Sequence, residues 1–243
     1  MLHAKSSFST LFGILLILVL LLTSIDIFSL DRAFFLSQYK KLDVATDIGV
    51  SSADLIKSTD VLLEYLRDTR KDLNVTVTID GNSRQMFNQR EIDHMVDVKV
   101  LYRAAMFFRN LSLIIGSAIA IILLLMYRRK AIRLLARGIV NASIVFGVIL
   151  AFLAVYASVD FYGFWTQFHQ IFFRNNLWIL DPNTDNLILM VPEPFFFALV
   201  FRIVGGFSLS LIVINVIAYF AQKKGDAYEP QSIKTVSASH DDD

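Results

Sequence analysis

The chain has 243 residues, 55% of them hydrophobic, with no cysteine and a net charge of +1. The apolar share exceeds the roughly 45–50% of soluble domains, and its concentration in blocks points to a membrane protein. The near-zero charge gives no footprint for nucleic acid, and the lack of cysteine excludes disulfides, thiolate metal sites and a cysteine nucleophile.

Residues 8–30 form the first apolar run. It is too long for a signal-peptide core, and no small-x-small cleavage site follows near Asp26 to Asp31, so it reads as an uncleaved anchor. Further runs at 107–127, 139–159 and 195–220 are also near the roughly 20 residues that cross a bilayer core. The expected fold is an all-α polytopic membrane protein: four transmembrane helices and a mostly helical extracytoplasmic cap with a small β element.

The segment 31–106 is too long for a bare linker. Within it, Leu55, Thr59, Leu62, Leu63 and Leu66 share one face of an amphipathic helix that Ser51 or Ser52 would cap. VTVTI, Val75 to Ile79, alternates like a strand and leads into a turn at Asp80-Gly81-Asn82. Asn88, with Glu91 three residues on, is the signature of a capped helix start.

The loop 128–138 carries Arg128, Arg129, Lys130, Arg133 and Arg137 and no acid. Lys5 precedes the first run, and Lys223 and Lys224 follow the last. These basic regions belong in the cytoplasm, with both termini. The segments 31–106 and 160–194 then form the cap on the other side. In the second, an aromatic helix from Phe161 to Phe173 is followed by turns at Asn175-Asn176 and Asp181-Pro182-Asn183, and Asp185 could cap a short helix from Asn186 to Met190. Residues 221–243, ending in three aspartates, read as a disordered cytoplasmic tail.

Of the four histidines, His3 and His240 lie in the terminal segments. His94 and His169 fall in the two cap segments, one in each. Helical spacing places Glu91, His94 and Asp97 on one face. Two readings fit: an imidazole oriented by a carboxylate for general-base work, or a solvated polar face. His169 lies among Phe161, Phe164, Trp165, Phe168, Phe172, Phe173 and Trp178. Interfacial aromatic belts explain part of this. Phenylalanine is not the usual belt residue, and so many of them suit a water-poor site for lipid tails, where an imidazole would stay neutral. Arg202, inside the last run, either snorkels or steadies an ester oxygen or lipid phosphate. Asp26 is a weaker case of the same kind. Glu91, His94 and His169 are conceivable zinc ligands, but His-Glu-x-x-His is absent, as are the Gly-x-Ser-x-Gly elbow and a phosphate-binding glycine loop. Neither metal nor cofactor is expected.

Three stretches carry a family resemblance: REIDHMVDVK (Arg90 to Lys99), FHQIFFRNNLWILDPNTDNLI (Phe168 to Ile188) and MVPEPFF (Met190 to Phe196). The chain resembles the bacterial lipoprotein intramolecular transacylases over about residues 8–222. The resemblance implies a four-helix protein of the bacterial cell membrane with an extracellular cap. It implies a substrate lipoprotein whose N-terminal cysteine bears a diacylglyceryl thioether and a free amine, with membrane lipids as the other partners. The sn-2 acyl chain would move to that amine, giving the lyso-form. Two cap histidines are catalytic in the family and correspond to His94 and His169. Glu91, Asp97, Lys99, Asn176, Asp181, Asp185 and Arg202 are expected to support them. Holding ester and amine in one molecule can supply roughly 7–11 kcal/mol of the barrier, so no covalent enzyme intermediate is needed. His169 is expected to deprotonate the amine and His94 to serve the ester oxygen, or the reverse. Because His94 lies about 13 residues before residue 107, a straight helix would lift it roughly 20 Å above the membrane, so a tilt or bend is expected. Two rivals stand beside this reading: a non-catalytic receptor or scaffold that binds through the cap, and a zinc-dependent membrane hydrolase.

Overall fold

A computed structural model describes residues 2–226. The tail expected at 221–243 lies outside these from residue 227 on, together with His240; residues 221–226 continue the last helix. The elements in chain order are α1 (Leu2–Ser29), α2 (Arg32–Leu42), α3 (Val44–Ile48), α4 (Ser52–Leu66), β1 (Thr76–Ile79), β2 (Asn82–Gln85), α5 (Gln89–Tyr127), α6 (Arg129–Val159), α7 (Phe161–Phe172), α8 (Asn186–Met190) and α9 (Glu193–Asp226). Helices α1, α5, α6 and α9 are long and apolar enough to cross a membrane. The fold is thus all-α with a two-stranded sheet, in a chain built to span the bilayer.

The chain forms two compact units. One comprises the described residues of Met1–Val19, Ser112–Gly147 and Leu209–Asp243, the other Leu20–Leu111 and Val148–Ser208. In the first, α1 and α6 meet backbone to backbone. A Cβ on Gly13 would strike the Gly138 carbonyl, and one on Gly138 would strike that of Ser9. Small residues permit such approach where no hydrophobic force separates helix from lipid. Ala136 and Ile139 pack with Ala218, and Asn215 donates to Ser143 Oγ at 2.8 Å. The basic segment expected as a loop at 128–138 is helical from Arg129 onward. The reversal needs only Arg128, at φ 47°, because Arg, Lys, Ala and Leu are good helix formers and nothing in the run stops them.

The second unit holds the cap core. Phe195 is fully buried and meets the rings of Phe34 (5.2 Å) and Phe35 (4.8 Å). Leu55, Leu62 and Leu63 of α4, Val77 and Ile79 of β1, and Met190 of α8 belong to the same core. Ser51 caps α4 by accepting the Asp54 N–H. Helices α2 and α3 occupy a stretch given no structure in the sequence reading. Asp31, accepting the Ala33 N–H, was the available start signal. At the hairpin, Asp80 (φ 49°) and Gly81 (φ 79°) are both left-handed, as a two-residue turn matched to strand twist requires. It pairs β1 with β2, Thr76 opposite Gln85.

Helix α5 is one uninterrupted element of 39 residues, about 58 Å long at 1.5 Å per residue and nearly twice the roughly 30 Å hydrocarbon core. Its first part carries Arg90, Glu91, Asp93, Asp97, Lys99 and Arg103, so the length available for the membrane is the remainder. No break in α5 accompanies the approach of the two histidines. It is α7 and the chain after it that come to α5.

Candidate active site

Asn88 and Glu91 close the start of α5 reciprocally. The Asn88 N–H donates to Glu91 Oε2 at 2.7 Å, and the Glu91 N–H donates to Asn88 Oδ1 at 3.1 Å. The other Glu91 oxygen accepts the Leu187 N–H at the start of α8. One carboxylate therefore satisfies donors at two helix N-termini, which is what such orphan groups demand. Glu91 is 0% exposed. Burial pushes its carboxyl up to about 7, with Asp185 adding to the rise, against the pull of the N–H donors.

The same end of α5 is laced to the segment after α7. Arg90 donates to the Asn176 carbonyl at 2.5 Å, Asn175 donates to Asp97 Oδ2 at 2.7 Å, and Asn186 donates to the Met86 carbonyl at 2.6 Å. The Asn88 amide donates to Asp185 Oδ1 at 2.7 Å, and the Asp181 N–H to Asp185 Oδ2 at 2.8 Å. Burial opposes the ionisation of Asp185, but these donors and the Thr184 hydroxyl hold its carboxyl below the usual range. Asp185 precedes α8 without capping it by its side chain, since Glu91 takes that part.

This seam brings His94 and His169 together, with ring centroids 6.1 Å apart. Each is 7% exposed. His169 Nδ1 lies 2.8 Å from the Trp165 carbonyl, one turn back on α7. A carbonyl only accepts, so Nδ1 carries the proton and Nε2 presents its lone pair. Around the ring stand Trp178 (4.8 Å, stacked), Trp165 (4.9 Å), Phe168 (5.5 Å) and Phe173 (5.5 Å). Burial lowers the His169 pKa, and the bond to Trp165 works against that. His94 touches Phe173 edge-on at 5.5 Å, and its buried Nδ1 has no hydrogen-bond partner among the described residues. Burial, reinforced by His169 and opposed by Asp97, pushes its pKa down to about 4. Both imidazoles are therefore neutral at pH 7.

Several expected supports stand elsewhere. Glu91 gives both oxygens to backbone donors and Asp97 gives Oδ2 to the Asn175 amide, and neither is hydrogen-bonded to the His94 ring among the described residues. Lys99 pairs with Asp68 at 2.7 Å and lies over the Tyr65 ring. Asn176 acts through its carbonyl. The Asp181 side chain closes its own turn on Asn183. Arg202 pairs with Asp31 at 2.6 Å between the rings of Phe28 and Phe34. It orders the α1–α2 corner instead of reaching the histidines. Glu91, Asn176, Asp181 and Asp185 thus belong to the seam that positions the imidazoles.

The aromatic residues separate in the same way. Phe161 stacks on Trp165, Trp165 on Phe168, and Phe168 contacts Phe172, so much of the set forms a ladder along α7, with Phe164 against Phe161. Phe172 and Phe173 line a groove of about 360 Å³, with Asp97, Val100, Leu101 and Ala104 of α5 and Arg174 and Asn175 opposite. Val100, Leu101 and Ala104 are absent from the sequence-derived site because they read as the approach to a span. Their spacing on the face next to Asp97 was the available signal. No set of three or more His, Asp or Glu side chains that could hold a metal gathers among the described residues.

The family model described as "Lipoprotein intramolecular transacylase Lit" matches residues 10–196. No curated protein matches the sequence. The chain is similar to the solved structure of the membrane integral lipoprotein intramolecular transacylase Lit from Bacillus cereus, with a TM-score of 0.78 and 18% identity over 93% of this chain and 100% of that one. Two variants of that protein with one histidine replaced, by arginine or by alanine, give TM-scores of 0.72 and 0.73 at 17% and 18% identity, each over 93% of this chain and 96% of the other. At this identity the structures speak for the fold, and the family model speaks for the lineage. The chain belongs to the lipoprotein intramolecular transacylase family, and so to the acyl-transferring enzymes.

Proposed function

We propose that this protein moves the sn-2 acyl chain of a diacylglyceryl-modified lipoprotein to the α-amino group of the same cysteine. The observation that carries the reading is the pair of neutral imidazoles from separate segments, 6.1 Å apart, sharing Phe173 with an apolar groove. An α-amino group titrates at about 7.7–8.0, so a useful fraction is free at neutral pH. As its nitrogen attacks the ester carbonyl, His169 Nε2 takes the proton that nitrogen sheds. His94 donates its N–H to the ester oxygen, where negative charge develops. The new C–N bond forms, the C–O bond to the sn-2 oxygen breaks, and the proton on His169 returns to that oxygen. No proton is consumed overall, and no acyl-enzyme is formed.

The division of labour follows from the two environments. His169 has the Trp165 carbonyl to stabilise its charged form and is the better base. His94, where burial and His169 outweigh Asp97 in disfavouring a second proton, is the better neutral donor. The groove takes the acyl chain, and the rings around His169 exclude water, so that aminolysis outcompetes hydrolysis. The zinc reading loses its third ligand, since Glu91 is committed to backbone N–H groups. Basic residues Arg128, Arg129, Lys130, Arg133, Arg137 and Lys223 support a topology with their ends of the helices in the cytoplasm and the cap outside. Mass spectrometry of lipoprotein N-termini from cells with and without the protein tests the reading. The lyso-form is expected only with it, and unchanged diacylglyceryl-cysteine in both would refute it.

A further inference from the structure

A second hollow lies on the other side of His94. It has a volume of about 670 Å³ and is walled by Arg84, Gln85 and Met86, by Asn88 before α5 and Glu91 within it, by Asn183, Thr184 and Asn186, and by Asp47 of α3. At about 100° per residue, Glu91 and Asn88 sit roughly 60° and 120° round α5 from His94 in one sense. Asp97 and Val100 of the acyl groove sit equally far round in the other. The groove lies toward the membrane-length part of α5, and the cleft lies toward its free end. The linings differ accordingly. The groove is mainly apolar, with Val100, Leu101, Ala104, Phe172 and Phe173 beside Asp97, Arg174 and Asn175, and Val100 is 63% and Phe172 50% exposed. The cleft offers the amides of Gln85, Asn88, Asn183 and Asn186, two acids, one base and the edge of a strand, beside a smaller share of apolar side chains.

That strand is β2. It pairs with β1 on one side, and no further strand pairs with it among the described residues. All four of its residues are exposed. An open edge flanked by amide side chains and by charges of both signs suits an extended polypeptide, bound through its main chain.

We propose that the cleft receives the polypeptide that follows the lipid-modified cysteine, extended along β2. This rests on the transacylation reading above. A substrate with its cysteine at the histidines has acyl chains on one side and polypeptide on the other, and α5 presents an apolar groove and a polar cleft in the same order. Recognition through the main chain tolerates any side chains, which suits an enzyme acting on lipoproteins that share little beyond the modified cysteine.

The test compares two diacylglyceryl-cysteine lipopeptides, one ending in a single capped residue and one carrying six residues, with conversion to the N-acyl product followed by mass spectrometry. A few added main-chain hydrogen bonds predict a KM about tenfold lower for the longer substrate, and N-methylation of its second to fourth backbone amides should abolish that advantage. Arg84→Trp and Asn183→Trp, each filling the cleft from a different wall, should bring the ratio of the two KM values toward one. Equal KM values for both substrates in the unmodified enzyme, with both converted, would overturn the cleft and leave the transacylation reading standing. So would an advantage that survives N-methylation. Conversion of neither substrate would overturn both.

Discussion

His94 and His169 are equally buried, 7% exposed each, yet they are held in opposite ways. His169 is fixed by a carbonyl of its own helix and boxed by four rings. His94 Nδ1 has no hydrogen-bond partner among the described residues. Its place is set by the backbone of α5, whose start is laced to the segment after α7. One imidazole is oriented by its own contacts, the other by the seam beside it. In the proposed reaction, this contrast is the reason to give the base's part to the first and the neutral donor's part to the second.

The largest expected effect comes from removing the base. His169→Ala should lower lyso-form production about 10²–10⁴-fold, and His169→Asn, which has no comparable basicity, should be equally impaired. His94→Ala should cost about 10²–10³-fold. His94→Gln, which keeps an N–H donor, should recover part of that, and this recovery at one histidine alone is what separates the two roles. Single-turnover assays on a purified diacylglyceryl lipopeptide measure all four.

Next comes the seam. Glu91→Ala strips the partner from buried N–H groups and should destabilise the fold by roughly 1–3 kcal/mol per group left unpaired, seen as a lower Tm in detergent. Activity should fall with it, and Glu91→Gln should restore part of both.

The pH response sharpens the comparison further. The His94 pKa is about 4 when folded against an ordinary 6.5. Below 6.5 the unfolded chain binds a proton that the folded one refuses, so stability should be lost as pH falls from about 6.5 to 4, by roughly 2–3 kcal/mol at most. His94→Leu should remove this dependence. Glu91, raised from 4.5 to about 7, has the opposite sign. Its contribution is fully present below 4.5 and lost as pH rises to about 7, and Glu91→Gln should flatten that arm. The smallest effect belongs to the groove. Ala104→Phe should lower the rate only a few-fold while shifting the transferred chains toward shorter lengths.

The seam also explains what the sequence could and could not disclose. Four long apolar runs announce their helices, and Asn88 with Glu91 announces a helix start, because these signals are local. The meeting of His94 and His169 was suggested by the resemblance and by their places in two cap segments. The part the carboxylates near His94 take in the structure is not legible from spacing, for a reason of chemistry. Glu91 lies at helical spacing from the imidazole, but an unpaired N–H at the start of α8, 96 positions away in sequence, is the stronger claimant. The orienter of His169 is a backbone carbonyl, which composition never shows. Val100, Leu101 and Ala104 become a groove only once α7 has folded against them.

The most direct test of the account is a lipopeptide with an isotopically labelled sn-2 acyl chain, mixed with an unlabelled copy of different peptide sequence and given to the purified enzyme or to His169→Ala. The account predicts that the native enzyme places label on the amine of the labelled peptide alone, and that the variant places none in the same time. Label on the second peptide's amine, or unchanged transfer by His169→Ala, would contradict it.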